Sequence, residues 1–332
     1  MNERVTIVGQ GLAGTCLAWR LWDRGCEIRV VDRGGGRGSS RGAAGLVTPV
    51  GGRGISRAWR VERYLPRVAP FFRAVETVLS ERVFQEVPIL RLFKGPLERE
   101  RFEARREELA PWVSEVLDDV GPHLKAAAGG VVFKGGGWLD VSRFLAASRG
   151  YFRETGIYRE REAVLSEEEG TVVACLGAAG LGTGVFHFLA GQPSKGETLV
   201  VRIQGLGQER IVRRGGWLIP LGGNLYRAGT TYDREELTDA ITMEGRQAVE
   251  NLVQSFTDLR YEVVEHTAGV RPALACGRPV IGPHPDRGNL YVFNGLGSRG
   301  VLYAPGLAEE LAAHLVEGEE IEPEVGIGQT AA

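Results

Sequence analysis

The amino-acid sequence predicts an α/β fold: a doubly wound parallel-sheet unit into which an antiparallel sheet is inserted. Three observations predict it. Residues 5–32 run as apolar strand, glycine turn, apolar-faced helix and second apolar strand. The middle of the chain carries strand-length runs at 198–203, 209–213, 217–220 and 225–230, separated by glycine turns as in antiparallel pairing. The last third returns to a glycine turn and an apolar helix.

The totals bound the class. At 332 residues and 43% hydrophobic, the chain can bury a large core and accommodates two domains. Forty Lys plus Arg against 42 Asp plus Glu leave a net charge of -2, which argues against an overall basic nucleic-acid binder and leaves local patches open. Cys16, Cys26, Cys175 and Cys276 stand far apart with no C-x-x-C pair, so neither a disulfide framework nor a metal site is expected. Met-Asn-Glu-Arg leads straight into the first strand, and no apolar stretch reaches membrane-spanning length. The expectation is a soluble, cytoplasmic, unprocessed protein.

Val5-Thr-Ile-Val-Gly-Gln-Gly-Leu-Ala-Gly14 carries the spacing G-x-G-x-x-G at Gly9, Gly11 and Gly14. The first glycine permits the turn, the second lets a pyrophosphate approach the backbone and the third seats helix on strand. The pyrophosphate would lie against the helix N-terminus at Leu12 and Ala13, where free N–H groups favour negative charge. Asp32 ends the next strand, where a carboxylate accepts hydrogen bonds from a ribose diol. A Rossmann-like domain with a bound adenine dinucleotide follows, and this unit alone leaves NAD and FAD both open.

After Asp32 comes Arg33-Gly-Gly-Gly-Arg-Gly-Ser-Ser-Arg-Gly-Ala-Ala-Gly-Leu-Val-Thr-Pro49, a loop whose small residues let backbone come close to something flat or anionic. Gly-Ser39-Ser40-Arg-Gly-Ala-Ala44-Gly45-Leu46, following a dinucleotide fingerprint, resembles the D-amino-acid-oxidase-like family of FAD enzymes, which includes glycine oxidase and sarcosine oxidase. The resemblance continues at Gly137-Trp-Leu-Asp-Val141, at Val172-Val-Ala-Cys-Leu-Gly177 and at Pro193-Ser-Lys-Gly196-Glu. It ends on Gly269-Val-Arg271-Pro and Asn294-Gly-Leu-Gly297-Ser298-Arg299-Gly300-Val301. That last segment looks most like the oxidase domain of the bifunctional bacterial enzyme that modifies the tRNA wobble uridine.

The resemblance implies a two-domain flavoprotein: an FAD-binding domain from 1–58, 139–192 and 268–332, and a substrate domain from 59–138 and 193–267. Between the motifs the sequence predicts a helix over 56–80 interrupted at Pro66 and Pro70, and a strand over 87–93. Further helices are expected over 97–109, 141–155, 239–256 and 305–315, the last opening on Pro305-Gly.

For chemistry, the resemblance implies non-covalent FAD held by the glycine fingerprint, Asp32, Ser39, Ser40, the 44–46 segment, Gly177 and the 297–301 turn. Cys276 falls several residues away from the position where some relatives attach the flavin. Arg271 would bind a substrate carboxylate through a bidentate fork, which lysine cannot reproduce. Arg299 would face substrate or flavin. The implied reaction is oxidation of the C–N bond of an amino acid or N-substituted glycine by hydride transfer to flavin, with O2 as acceptor. No residue is required as a general base; His266 and His284 read as structural, Lys195 as solvated, and Trp217, Tyr226 and Tyr232 as either core or cavity lining. Two alternatives remain: a stand-alone tRNA-modification oxidase acting on a carboxymethylaminomethyl group, and a non-catalytic flavin-binding protein. Arg53, Arg57, Arg60, Arg63 and Arg67 fall on one side of the expected helix, either as a solvated face or as a row that could meet the phosphates of tRNA.

Overall fold

The computed structural model describes residues 4–34, 40, 42–52 and 54–329. Among them seven α-helices follow in chain order: α1 Leu12–Asp23, α2 Val61–Leu79, α3 Pro96–Glu103, α4 Arg106–Leu109, α5 Val141–Glu154, α6 Met243–Phe256 and α7 Gly300–Glu317.

The first sheet is centred on Val5–Val8, whose four residues are all buried, as expected of a strand covered on both faces. It pairs in parallel with Ile28–Asp32 on one side and Thr171–Ala174 on the other, with Val5 opposite both Ile28 and Thr171. Tyr158–Glu160 extends one edge in parallel and Arg287–Asn294 the other, where Val280–His284 closes the sheet as an antiparallel hairpin partner. On α1, Trp19 packs on Phe152 of α5 and donates its indole N–H to Ser148 Oγ at 2.9 Å.

The second large sheet has eight strands in the order Tyr261–Arg271, Ser194–Ile203, Leu225–Gly229, Gly216–Gly222, Ile211–Arg214, Ile89–Leu92, Gly130–Phe133 and Val113–Leu117. Its pairs are antiparallel except Ile211–Arg214 with Ile89–Leu92. Successive residues point to opposite faces. One face, with Leu199, Val201, Leu218 and Tyr226, packs against Val249, Val253 and Phe256 of α6. The other face turns toward the first sheet and forms a cavity floor.

Several elements differ from the sequence expectation, each for a physical reason. The helix expected over 56–80 starts only at Val61, because Ser56–Arg57 pairs with Val50–Gly51. It then runs unbroken through Pro66 and Pro70, whose missing N–H groups are outweighed by burial of Tyr64, Val68, Phe71, Phe72 and Val75. The strand expected over 87–93 is Ile89–Leu92, which starts after Pro88 and joins the large sheet, while a separate strand before it, Phe84–Glu86, joins Gly137–Leu139 in a three-stranded sheet. The 97–109 helix breaks between Glu103 and Arg106. The last helix begins at Gly300, with Pro305 buried in its interior, and a Cβ at Gly306 would come within 2.6 Å of the Tyr64 ring, so glycine there lets α2 and α7 meet closely.

Candidate active site

The turn into α1 needs its glycines. Gly9 has φ +104°, and a Cβ there would overlap the Cys175 carbonyl oxygen; a Cβ on Gly14 would overlap the Gly9 carbonyl oxygen. Gly11 caps α1 without a side-chain hydrogen bond, and the Leu12 N–H donates to Ser40 Oγ at 3.3 Å. Asp32 is fixed at its strand end, where Oδ2 accepts the Gln10 N–H and Oδ1 the Gly34 N–H, both at 2.8 Å. Asp32, Arg33 and the glycine turn line a cavity of about 1190 Å³. Arg161, in the 157–170 segment, also lines it and donates to Glu168 through two bonds of 2.6 and 2.7 Å.

A second cavity, of about 910 Å³, continues from the first, and the two share Gly11, Ser40, Cys175 and Gly177. The result is one bent channel from Asp32 past the helix N-terminus into an inner chamber. The 42–46 segment forms one wall. Gly45, at φ +71°, lies so close to the Leu139 carbonyl that a Cβ would overlap it, and Arg227 of the large sheet donates to the Ala43 carbonyl at 3.1 Å. The 296–301 turn and the first residues of α7 form another wall. Gly297 donates its N–H to the Pro272 carbonyl at 3.0 Å, tying this turn to the arginine segment.

The chamber floor is a row of in-register residues across the large sheet. Arg91 lies beside Arg213, Arg213 beside Trp217, Trp217 beside Gly229, and Gly229 beside Thr198. Register partners share a face. A Cβ on Gly229 would come within 2.7 Å of the Trp217 ring, so its absence lets the indole lie flat.

Arg271 ends the edge strand of that floor. Its guanidinium lies against Gly196, where any Cβ would overlap it. Nη1 donates to the Lys195 carbonyl at 3.2 Å, and Nη2 to Thr230 Oγ1 at 2.6 Å and the Thr231 carbonyl at 3.2 Å. The Tyr232 ring covers it at 4.4 Å. Three of its donors thus meet neutral oxygens, none meets a carboxylate among the described residues, and the residue lines the chamber. Burial lowers its pKa from the usual arginine value.

Charge in the chamber is lopsided. Among the described residues, seven arginines and lysines line it against a single acidic residue, Glu98. Arg91 pairs with Glu98 and donates to the Gly52 carbonyl at 3.0 Å. Burial opposes ionisation of Glu98, but Arg91 and the Lys94 N–H together hold its pKa below the usual value. Among the described residues Arg213 has no such partner: Nη1 reaches only Thr48 Oγ1 at 3.5 Å and the Val50 carbonyl at 3.3 Å, and its buried Nε has no acceptor. Burial, followed by repulsion from Arg91 and Arg299, lowers the Arg213 pKa to about 10.

The chamber brings together Leu12, Ala13, Ser40, Ala44, Gly45, Leu46 and Gly177 with Arg271 and the 297–301 turn. Gly9 and Asp32 line the outer cavity. Ser39 and Arg53 lie outside the described residues. Among the aromatics, Trp217 and Tyr232 line the chamber while Tyr226 is in the core behind the sheet. The histidines are held structurally: His266 Nε2 meets Glu197 at 2.7 Å, and His284 Nε2 the Val185 carbonyl at 2.8 Å. Lys195 is not solvated but 1% exposed, beside Glu197 and Glu236. The arginine row is not a free cationic face either. Arg57 pairs with Glu62 and Glu108, Arg60 with Glu322 and Glu324, Arg63 with Glu310 and Glu322, and Arg67 with Glu310. Most of those acids come from α7 and the segment after it, which no local helical spacing reveals.

Sequence reading missed Arg91 and Arg213. A signal existed for the first: it is the lone charge in Ile89-Leu-Arg-Leu92, a strand buried at every position. Arg213, followed by Arg214, looks like an ordinary polar strand end.

A nucleotide channel crossing the C-terminal ends of parallel strands and emptying into a chamber floored by a second sheet defines a dinucleotide-dependent oxidoreductase. The family model described as DAO, FAD dependent oxidoreductase, matches residues 4–314, and the chain belongs to that family. It is 26% identical over 362 residues to a glycine oxidase of Geobacillus kaustophilus, covering 95% of this chain and 93% of that protein. It is 28% identical over 335 residues to the tRNA 5-methylaminomethyl-2-thiouridine biosynthesis bifunctional protein MnmC of Maricaulis maris, covering 95% of this chain but 52% of the relative. The chain therefore spans about half the length of that bifunctional relative. Among solved structures, glycine oxidase from Geobacillus kaustophilus matches with a TM-score of 0.81 and 23% identity over 96% of both chains. The cofactor of the family is FAD, and no helix among the described residues is long and apolar enough to cross a membrane.

Proposed function

We propose that this protein oxidises the C–N bond of a small amino acid or N-substituted glycine, using non-covalently bound FAD and O2. The observation that carries the reading is Arg271: a half-buried guanidinium, seated in the slot left by Gly196, lining the chamber and paired with no carboxylate among the described residues. Such a group favours an anionic ligand, and a planar fork favours a carboxylate.

The residues present fit FAD. Gly9, Gly11 and Gly14 leave the backbone open at the α1 N-terminus for the pyrophosphate, and Leu12 and Ala13 supply N–H groups there. Asp32 and Arg33 face the adenosine end; Ser39 and Ser40 serve the phosphate and ribityl region. Ala44, Gly45 and Leu46 would flank the ring system, with Gly177, Gly297, Ser298, Gly300 and Val301 opposite. Cys276 is exposed and lines neither cavity, in keeping with a flavin that is not covalently attached. When bound, FAD supplies a two-electron acceptor that takes a hydride from the amine carbon and is reoxidised by O2 with release of hydrogen peroxide.

The chain's own part is positioning. Arg271 holds the carboxylate, and Trp217 and Thr198 exclude water beneath the reacting carbon. No histidine lines the chamber. Burial pushes the Cys175 thiol pKa far up, and Glu98 is committed to Arg91, so neither accepts the ammonium proton. The substrate must therefore enter as the free amine, and the proton leaves before binding.

A carboxymethylamino group carried on tRNA would offer Arg271 the same carboxylate. Its phosphates would have to meet Arg57, Arg60 and Arg63, which are all engaged by glutamates, so the small-amine reading is favoured. The test is anaerobic addition of glycine, sarcosine, D-alanine and D-proline to the FAD-loaded protein, followed by absorbance. Bleaching of the flavin by one of them is expected, with Arg271→Ala raising the required concentration by about a hundredfold or more while retaining flavin. Flavin bands that no amine bleaches would leave a macromolecular substrate or a non-catalytic flavin-binding protein.

A further inference from the structure

The chamber has a second cationic pole, distinct from Arg271. Arg213 and Arg299 converge over Gly51: Nη1 of one and Nη2 of the other lie 3.2 and 3.3 Å from the point a Cβ on that glycine would occupy. Arg91 stands beside Arg213 in the sheet register. The only carboxylate lining the chamber is engaged by Arg91, so Arg213 and Arg299 face one another with no acid between them among the described residues. Among the described residues the Arg299 side chain is paired with no hydrogen-bond or ion-pair partner, and the sealed Nε of Arg213 has no acceptor. Like charges held together away from water are costly unless an anion joins them.

The floor links this pole to the other. From Arg213 the row passes through Trp217, Gly229 and Thr198, and the next strand is the one that ends at Arg271. Tyr232, which stacks on Arg271, also lies within electrostatic range of Arg213. An elongated ligand crossing the floor would meet a guanidinium at each end and an indole face beneath its middle.

Building on the amine-oxidase reading, we infer that the substrate is a dianionic amine, its α-carboxylate on Arg271 and a second anionic group, carboxylate or phosphoryl, between Arg213 and Arg299. The positive field that remains when the second anion is missing makes a simple monoanionic amine a poorer ligand. Arg213 is thus a specificity-determining residue of the substrate site.

The test uses the FAD-loaded protein and ethers that mimic the amines but cannot be oxidised. Methoxyacetate carries one anion; oxydiacetate, 3-(carboxymethoxy)propanoate and phosphonomethoxyacetate carry two. Dissociation constants are read from flavin difference spectra at fixed ionic strength. At least one dianion is expected to bind about tenfold or more tightly than methoxyacetate. Whether a carboxylate or the phosphonate gains most identifies the second group. In Arg213→Gln, and independently in Arg299→Gln, the advantage is expected to fall severalfold, whereas Arg271→Gln weakens mono- and dianions alike. No dianion advantage in the parent protein, or an advantage that both single variants retain, would overturn the inference. So would Arg213→Gln acting only on flavin reduction potential or FAD affinity, because the pole would then serve the flavin. If Arg271→Gln changes nothing for any ligand, the amine-oxidase reading itself fails.

Discussion

Arg271 owes its position to an absent side chain. Its guanidinium occupies the space that a methyl group on Gly196 would fill, and the Lys195 carbonyl, Thr230 hydroxyl and Thr231 carbonyl hold it there. Guanidinium stacking on Tyr232 adds about 1 kcal/mol of attraction at a partly exposed site. Gly196→Ala should therefore displace the fork while leaving the FAD channel untouched, since Gly196 lines only the inner chamber. The expected result is a rise of about tenfold or more in KM for the best amine substrate, with unchanged FAD affinity, measured by oxygen uptake and flavin titration. An unaltered KM would show that the slot does not set the arginine. In the sequence, Arg271-Pro and Pro193-Ser-Lys-Gly196-Glu were each marked, but nothing linked Gly196 to Arg271, because the two meet only through pairing of strands 194–203 and 261–271.

At the scale of elements, Glu197 joins the floor of the chamber to the helix behind it. Its carboxylate accepts the Thr242 N–H at 3.0 Å and the Thr242 hydroxyl at 2.7 Å, and meets His266 at 2.7 Å. Thr242 in turn caps α6, accepting the Gly245 N–H at 2.9 Å. A carboxylate at a helix N-terminus is favoured by the dipole. Burial opposes its ionisation, yet the Thr242 bonds, His266 and Lys195 outweigh it, and the folded-state pKa lies below the ordinary one. A depressed acid stabilises the fold fully above the unfolded pKa of about 4.3, and that contribution is lost as pH falls through the lower folded value. Glu197→Gln should accordingly cost about 2 kcal/mol near neutral pH, and the difference from the parent should shrink below pH 4. Denaturant unfolding at the two pH values measures it, and an equal loss at both would contradict the linkage. Elements were legible where a local period decided them: the first strand, α1, α5 and the strand set of the large sheet all follow apolar spacing and glycine turns. They were misread where tertiary packing overrode local chemistry, as at Pro66, Pro70 and Pro305, each of which lies inside a helix whose apolar face is buried. The ion pairs of the arginine row were likewise illegible, since the glutamate partners of Arg60, Arg63 and Arg67 lie about 250 residues away along the chain.

Across the whole molecule, one hydrophobic cluster bridges the two large sheets. It contains Ile7 and Val30 of the nucleotide-binding sheet, Ile89, Ile211 and Ile219 of the other, and Tyr64 and Leu307 from α2 and α7 between them. The FAD channel crosses the same boundary, bounded by α1 and the 42–46 segment on one side and by the sheet floor on the other. Unfolding of either side would open both the core and the channel, so the protein should melt in one cooperative step, with FAD stabilising the whole. Ligand present at a hundred times its Kd adds about 2.7 kcal/mol. For a chain of this size that raises Tm by about 4 °C. Asp32→Asn keeps an oxygen for one of the two N–H groups that Asp32 accepts but removes the charge that the proposed binding mode sets against the ribose, so it should reduce the FAD-induced shift more than it lowers the Tm of the FAD-free protein. Differential scanning calorimetry with and without FAD tests both statements. Two resolved transitions, with FAD moving only one, would mean that the shared core does not couple the sheets and that the inner chamber can lose its floor while the nucleotide end stays folded.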